Sequence, residues 1–292
     1  MLGQASLFVT LALAASPAVA AEFSGAAALE STRRVVAFGP RPPGSAAIRK
    51  LQGYIVSRLK GLGCEVIEDA FTAQTPNGAV AMKNIIARFP GPSGRAIVLS
   101  GHYDTKLMPG LHFVGANDGG SSAGFLLEMA RVTARAPRRD DLYLVWFDGE
   151  EAFAQWSDTD GIYGSRHLAA RWASDGTLGR IRALINVDMI GDRDLGIMME
   201  MSSSAPLRRL VWQVAADLGY RRHFLETPRT TDDDHVPFLR HGVNAMDLID
   251  FDYGPDNRYW HTEQDTIDKL SAGSLEAVGR VVAEAVRRLE RQ

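Results

Sequence analysis

Strand and helix signals alternate along this chain, which predicts an α/β fold of three layers (α/β/α). Helices should cover both faces of a mixed, mostly parallel central sheet. Two observations support that prediction. Residues 96–100, 142–147, 183–187 and 245–249 are short apolar runs without alternation, as expected for strands buried on both faces. Each run leads into acids or histidines, and open α/β sheets place their ligands beyond the carboxyl ends of the strands.

The elements follow in order. Residues 7–19 are apolar and small, and Ala18-Val19-Ala20 has the form of a signal-peptidase site, although Met1-Leu-Gly-Gln-Ala carries no basic residue. Residues 1–20 are therefore expected to be a signal peptide, with 21–292 as one domain exported to the periplasm or the medium. The leader is short for a membrane span and contains Pro17, and no later segment is apolar enough to be one. No stable membrane association is expected once it is cleaved. Residues 27–38 and 45–62 read as helices separated by the breaker Gly39-Pro-Arg-Pro-Pro-Gly44. Residues 64–72 and 83–89 alternate polar and apolar side chains like half-exposed strands. Further helices are expected at 121–135, 165–172, 205–218, 234–240 and 274–290, the last with an apolar stripe from Leu275 to Leu289.

With 292 residues, 46% of them hydrophobic and 23% charged, the chain can bury one large core. A net charge of -3 and scattered arginine doublets such as Arg138-Arg139 argue against a nucleic-acid partner. Cys64 is the only cysteine, so there is no internal disulfide, and its place at a helix-to-strand junction reads as packing. A monomer is expected.

The chemistry begins at Glu150-Glu151, which follow the run 142–147 after Asp148-Gly149. Of two adjacent acids, one can bind a metal while the other moves protons. The plainer alternative is a solvated pair, or a first helical turn favoured by the dipole. His102, Asp104, Asp188 and His261 stand at the other strand ends. Asp, Glu and His without thiolates are the ligands of a catalytic zinc. Asp118 sits in the glycine-rich stretch 114–124, where it would repel phosphate and no lysine follows, so a phosphate loop is discounted. Gly120-Ser-Ser122-Ala-Gly124 matches the nucleophile-elbow pattern of serine hydrolases. That elbow needs an apolar strand directly before the serine, and none is present.

Longer blocks then become specific. These are Gly101-His-Tyr-Asp-Thr-Lys106, Phe113-Val-Gly-Ala-Asn-Asp118, Asp148-Gly-Glu-Glu-Ala-Phe-Ala-Gln-Trp156, Tyr163-Gly-Ser-Arg-His-Leu168, Asp188-Met-Ile-Gly191, Asp233-Asp-His-Val-Pro-Phe-Leu239 and Trp260-His-Thr262. In order and spacing the chain resembles the animal-type glutaminyl cyclases, within the zinc aminopeptidase superfamily. The resemblance implies a zinc-aminopeptidase-like fold with one zinc held by Asp118, Glu151 and His261. It implies Glu150 as proton shuttle, Asp188 and Asp233 as a hydrogen-bonded acid pair near the leaving group, and Trp156 and Trp260 as walls of a small substrate pocket. The implied enzyme is a glutaminyl-peptide cyclotransferase, which converts the N-terminal glutamine of peptides or proteins to pyroglutamate and releases ammonia.

A hydrolytic aminopeptidase of the same superfamily is the nearest rival. Such enzymes typically bind two metals, and His102 and Asp188 occupy the positions of the additional ligands. They usually carry Asp-Asp where this chain has Asp118-Gly119, and they lack the Trp156 segment, so the cyclase reading is preferred. The loop 250–259 is longer and more acidic than in the animal enzymes, and Asp250, Asp252 and Asp256 are expected to favour basic residues downstream in the substrate. His112, His167, His223, His235 and His241 read as packing or capping residues. From the residues alone, Asp232-Asp233-Asp234 could cap the helix 234–240. Trp146, Trp172 and Trp212 read as core.

Overall fold

The computed structural model describes residues 22–292, so the expected leader lies outside the described residues. Two helices open the fold, α1 (Gly25–Val36) and α2 (Ala46–Leu59). Each is capped by a serine hydroxyl that accepts a first-turn N–H, Ser24 from Ala27 and Ser45 from Ile48. A hairpin follows, β1 (Glu65–Thr75) and β2 (Gly78–Phe89). Cys64, just before β1, is half-buried against the core with its Sγ 3.7 Å from Leu59 O, which agrees with a packing role.

The sheet continues with β3 (Ala96–His102), β4 (Asp141–Phe147), β5 (Ile181–Asp188) and β8 (Ala245–Ile249) in the spatial order β1-β2-β4-β3-β5-β8. The pairings β1/β2 and β2/β4 are antiparallel, whereas β4/β3, β3/β5 and β5/β8 are parallel. This is the mixed, mostly parallel sheet expected from the sequence.

The absence of alternation in residues 142–147 has a direct cause. Leu142, Leu144 and Trp146 pack under α1, α2, α3 (Gly120–Thr133) and α7 (Ala272–Arg291). Tyr143, Val145 and Phe147 pack on the opposite face, against α4 (Tyr163–Ser174) and α6 (Val236–Arg240). With both faces covered, no position is left for a polar side chain. The stripe of α7 from Leu275 to Leu289 is buried as expected, each large side chain contributing roughly 1.5–3 kcal/mol.

Crossover handedness places the site. The chain passes from β3 through α3 to β4 on one side of β3, then through α4 to β5 on the other side. Right-handed crossovers in opposite directions lay α3 and α4 on opposite faces, which opens a crevice at the carboxyl end of β3.

A small parallel ribbon of β6 (Ile197–Glu200) and β7 (Phe224–Arg229) was not foreseen. The first is four residues long, and the second is largely exposed and contains Pro228, so neither shows a strand pattern. Helix α5 (Ala205–Asp217) lies between them. Among the described residues no helix is long and apolar enough to cross a membrane.

Candidate active site

Parallel strands β3, β4, β5 and β8 end on one edge, and the chemical residues stand there. His102 closes β3, Asp188 closes β5, Glu150-Glu151 follow β4, and Trp260-His261 follow β8. Asp118 lies on the turn into α3. Its neighbour Gly119 has φ 74°, and a Cβ there would sit 2.4 Å from Asp104 O and 3.0 Å from the His102 ring. Only glycine lets this turn pass over His102. An aspartate at 119, as in the two-metal pattern, would need the loop to move.

Asp118, Glu151 and His261 each offer a ligand atom within 4.8 Å of the others. His261 Nε2 is 3.0 Å from Glu151 Oε1 and 3.2 Å from Asp118 Oδ2. Asp118 Oδ2 is nevertheless a buried acceptor without a well-formed hydrogen bond. Burial lowers the basicity of His261, but Asp118 and Glu151 outweigh burial and carry it up to about 10. Burial would raise Asp118, yet His102 and His261 hold it far below the usual carboxylate range. Two buried carboxylates aimed at one point call for positive charge. Two oxygens and one imidazole nitrogen fit a zinc ion with an open coordination position.

A second group, His102, Asp118 and Asp188, shares Asp118 with the first. His102 Nε2 lies 3.2 Å from Asp118 Oδ1 and 3.1 Å from Asp188 Oδ1. Asp118 therefore turns one oxygen toward each histidine.

Glu150 is buried, with Oε2 4.0 Å from His102 Nδ1. Burial raises its pKa and His102 lowers it, but Glu151, Asp233 and Asp234 add to the rise and leave it well above the ordinary value. A carboxyl with raised proton affinity beside a metal-ligand cluster suits proton transfer. Burial and then Asp188 push Asp233 up to about 6. Its Oδ1 accepts from Asn186 Nδ2 at 3.1 Å, while Asp188 pairs with His102, so the two acids influence each other by charge. No side chain of the Asp232–Asp234 run caps α6, which removes the plainer reading of those residues.

A cavity of about 500 Å³ collects the rest. Asp118, Glu150, Glu151, Trp156, Asp188, Asp233, Trp260 and His261 all line it, and His102 lies beneath, fully buried. The Trp260 ring stacks on His261 at 4.0 Å and 21°, and Phe251 packs against Trp260 at 5.0 Å. Trp156 is 39% exposed.

The sequence profile of peptidase family M28 matches residues 84–286, which span this whole constellation. The chain belongs to peptidase family M28. A glutaminyl-peptide cyclotransferase of Drosophila melanogaster is 33% identical over 84% of this chain and 76% of that protein. Among solved structures, the glutaminyl cyclase of an Acidobacteriales bacterium aligns with a TM-score of 0.90 at 40% identity, covering 95% of this chain and 98% of that one. The glutaminyl cyclase of Porphyromonas gingivalis aligns at 0.83 and 30%, covering 91% and 99%. These relatives bear out the resemblance to glutaminyl cyclases and the zinc-aminopeptidase-like M28 fold.

Within this M28 chain, several partners of the site had gone unassigned. Asp104 accepts the N–H groups of Glu150 at 3.2 Å and Glu151 at 3.4 Å and faces His102 Nδ1 at 3.4 Å. Its position two residues after His102, at a strand end, was the available signal. Asp265 accepts the N–H groups of Asn117 and Asp118 and the Tyr253 hydroxyl, with no local signal at all. Lys106 Nζ lies 3.4 Å from Glu151 Oε2.

The acidic-loop expectation is corrected, while the packing and core readings hold. The acidic loop does not present three free charges. Asp250 is buried and accepts the Gly196 N–H and Asp252 pairs with Arg229 at 2.8 Å, which leaves Asp256, exposed with Arg258 3.8 Å away, as the one carboxylate of the three open to solvent without a close partner. Ser122 donates to His102 O and Gly119 O inside α3, as a structural hydroxyl does. His235 stands at the N-cap of α6 without a side-chain capping bond and is a buried packing residue, its Nε2 3.1 Å from Ser202 Oγ and 3.3 Å from Glu200 Oε2. His167 stacks on Phe71, and Trp146 and Trp172 are core.

Proposed function

We propose that this chain is a zinc-dependent glutaminyl-peptide cyclotransferase acting on the N-terminal glutamine of peptides or proteins. The observation that carries the reading is the meeting of Asp118, Glu151 and His261 with Glu150 and two tryptophans in one cavity. Zinc bound there would polarise the γ-carboxamide carbonyl and stabilise the oxyanion that develops on it. Trp260, braced on His261, and Trp156 enclose the side chain and fold it back toward its own α-amine. Amine and carbonyl belong to one molecule, so orientation supplies much of the rate. Glu150 takes a proton from the α-amine on a carboxylate oxygen and returns it to the departing ammonia. Asp188 and Asp233 hydrogen-bond the leaving nitrogen, and Asp233, raised to about 6, can share a proton with it.

One zinc is assigned, on Asp118, Glu151 and His261. The group His102, Asp118 and Asp188 is the one observation on the side of the alternative, a two-metal aminopeptidase hydrolysing N-terminal residues, which the cyclase relatives do not favour. A Gln-initiated peptide and a Leu-initiated amide distinguish them. The cyclase releases ammonia and pyroglutamate from the first, loses this on chelation, regains it with zinc and holds one metal by elemental analysis. Rapid hydrolysis of the second substrate with two metals per chain would overturn the assignment. We further assign residues 1–20 as a cleaved export signal and 21–292 as one monomeric catalytic domain. N-terminal sequencing of the exported protein tests the first point, and light scattering the second.

A further inference from the structure

We propose that Asp160 is a positioning residue that presents Trp156 to the cavity and thereby sets how tightly substrate is gripped. Its consequence for substrate rests on the cyclase reading. Its structural content does not.

The segment after Glu150 leaves the catalytic edge and returns to it. Ile162 donates its N–H to Glu150 O at 2.6 Å, and Tyr163 donates to Gly149 O at 2.7 Å. Residues 153–155 belong to neither helix nor strand, so their amides need acceptors from elsewhere. One carboxylate supplies all of them. Asp160 Oδ1 accepts from Phe153 N at 2.8 Å, and Oδ2 accepts from Ala154 N at 2.8 Å and Gln155 N at 3.0 Å. The Tyr163 hydroxyl donates to Oδ1 at 2.8 Å. Asp160 is 4% exposed. Burial would raise its pKa, but these donors hold it below the usual carboxylate range, so it is ionised at neutral pH.

Trp156 lies between these amides and a second tie. Ser157 N–H donates to Asp160 O at 3.1 Å, and Asp160 N–H to Ser157 O at 3.2 Å. The backbone on both sides of Trp156 is thus held by one residue. Trp156 as a residue is 39% exposed, too open for packing alone to fix its indole. It lies across Gly161, where φ is +126° and a Cβ would come 3.1 Å from the ring.

Asparagine at 160 keeps the size but turns one acceptor into a donor. With the amide nitrogen on the Oδ2 side, Ala154 and Gln155 lose their acceptor; on the Oδ1 side, Phe153 loses its acceptor and the Tyr163 hydroxyl must turn round to accept. In Asp160→Asn the KM for a Gln-initiated peptide should rise about tenfold, with kcat within about twofold and zinc content unchanged. In a Trp156→Ala background the same change should add nothing, since the side chain it positions is gone. An equal KM rise in that background, or loss of zinc, would overturn the proposal.

A readout independent of activity is the ¹⁹F spectrum of protein labelled with 5-fluorotryptophan. The Trp156 resonance, assigned by its loss in Trp156→Phe, should shift in Asp160→Asn while the other four stay in place. Tyr163→Phe removes one donor without burying a new polar group, and should move the same resonance less. If the Trp156 signal stays put in Asp160→Asn, the proposal falls whatever the substrate is. If it moves but the wild type makes no pyroglutamate, the positioning role stands and the cyclase reading falls.

Discussion

Replacing Arg41 by methionine should destabilise the protein by about 4 kcal/mol and weaken the metal site as well. Arg41 is completely buried between the linker that follows α1 and two loops of the catalytic edge. Its Nε donates to Tyr103 O at 2.8 Å, Nη2 donates to Gly115 O at 2.8 Å, and Nη1 donates to Val114 O. Burial lowers the guanidinium, opposed by Asp104, Asp265 and Asp118, to about 10, so it is cationic at neutral pH. Three charge-assisted bonds at roughly 1.5–3 kcal/mol each set the loss, and burial of an apolar side chain of similar length recovers roughly 1.5–3 kcal/mol. For a domain of this size the melting temperature should fall by about 10 °C. Urea denaturation and calorimetry give the stability, and competition with a chromophoric chelator gives zinc affinity. The loops that Arg41 ties carry Asp104 and Asp118, so affinity should drop with stability. A loss below about 1 kcal/mol with unchanged zinc affinity would refute the reasoning, because water would then satisfy those carbonyls as well as the side chain does.

Glu150→Gln should keep its zinc and lose about 10²- to 10⁴-fold in kcat, read as ammonia release beside elemental analysis; loss of zinc instead would reverse the roles of Glu150 and Glu151. Trp260→Ala removes the ring stacked on His261, and should raise KM for Gln-initiated peptides while the metal is retained, as a titration with substrate would show. Acid stability should depend on Asp141, whose carboxyl is raised by burial but pulled below its ordinary value by the Gly91 N–H, Arg88 and Arg180. Because the folded pKa is the lower one, that stabilisation is present above the unfolded pKa and is lost as pH falls through the folded one. Asp141→Asn should therefore melt earlier than wild type at pH 7, with the gap closing below pH ~3 in a series of thermal melts.

Legibility in the sequence followed the range of each interaction. The runs at 96–100, 142–147, 183–187 and 245–249 announced two-faced strands because burial on both sides acts on every residue of the run. Glu150-Glu151 and Asp118 were readable for the same reason, each standing in a short block with its own strand end or turn. Strands β6 and β7 were not, since a four-residue strand and a largely exposed one containing Pro228 leave no periodicity. Asp265 was equally hidden, because its work is to hold Asn117 and Asp118, far earlier in the chain.

The acidic loop shows the same limit from the other side. Counted along the chain, Asp250, Asp252 and Asp256 look like free charge at the pocket. In the fold, Asp250 is buried under the Gly196 N–H, and Asp252 meets Arg229 from β7. Side-chain types and their local periodicity were enough for an α/β sheet with candidate metal-ligating acids and histidines at its strand ends, and the resemblance carried by the longer motif blocks pointed to the family. Strand order, crossover direction and loop return decided that Asp118, Glu150, Glu151, Asp188, Asp233 and His261 share one cavity with two tryptophans, that Asp118 faces two histidines, and that Asp160 stands behind Trp156. Burial periodicity is written between neighbouring residues. Contacts between strand ends depend on which strands pair, and spacing along a chain does not encode that.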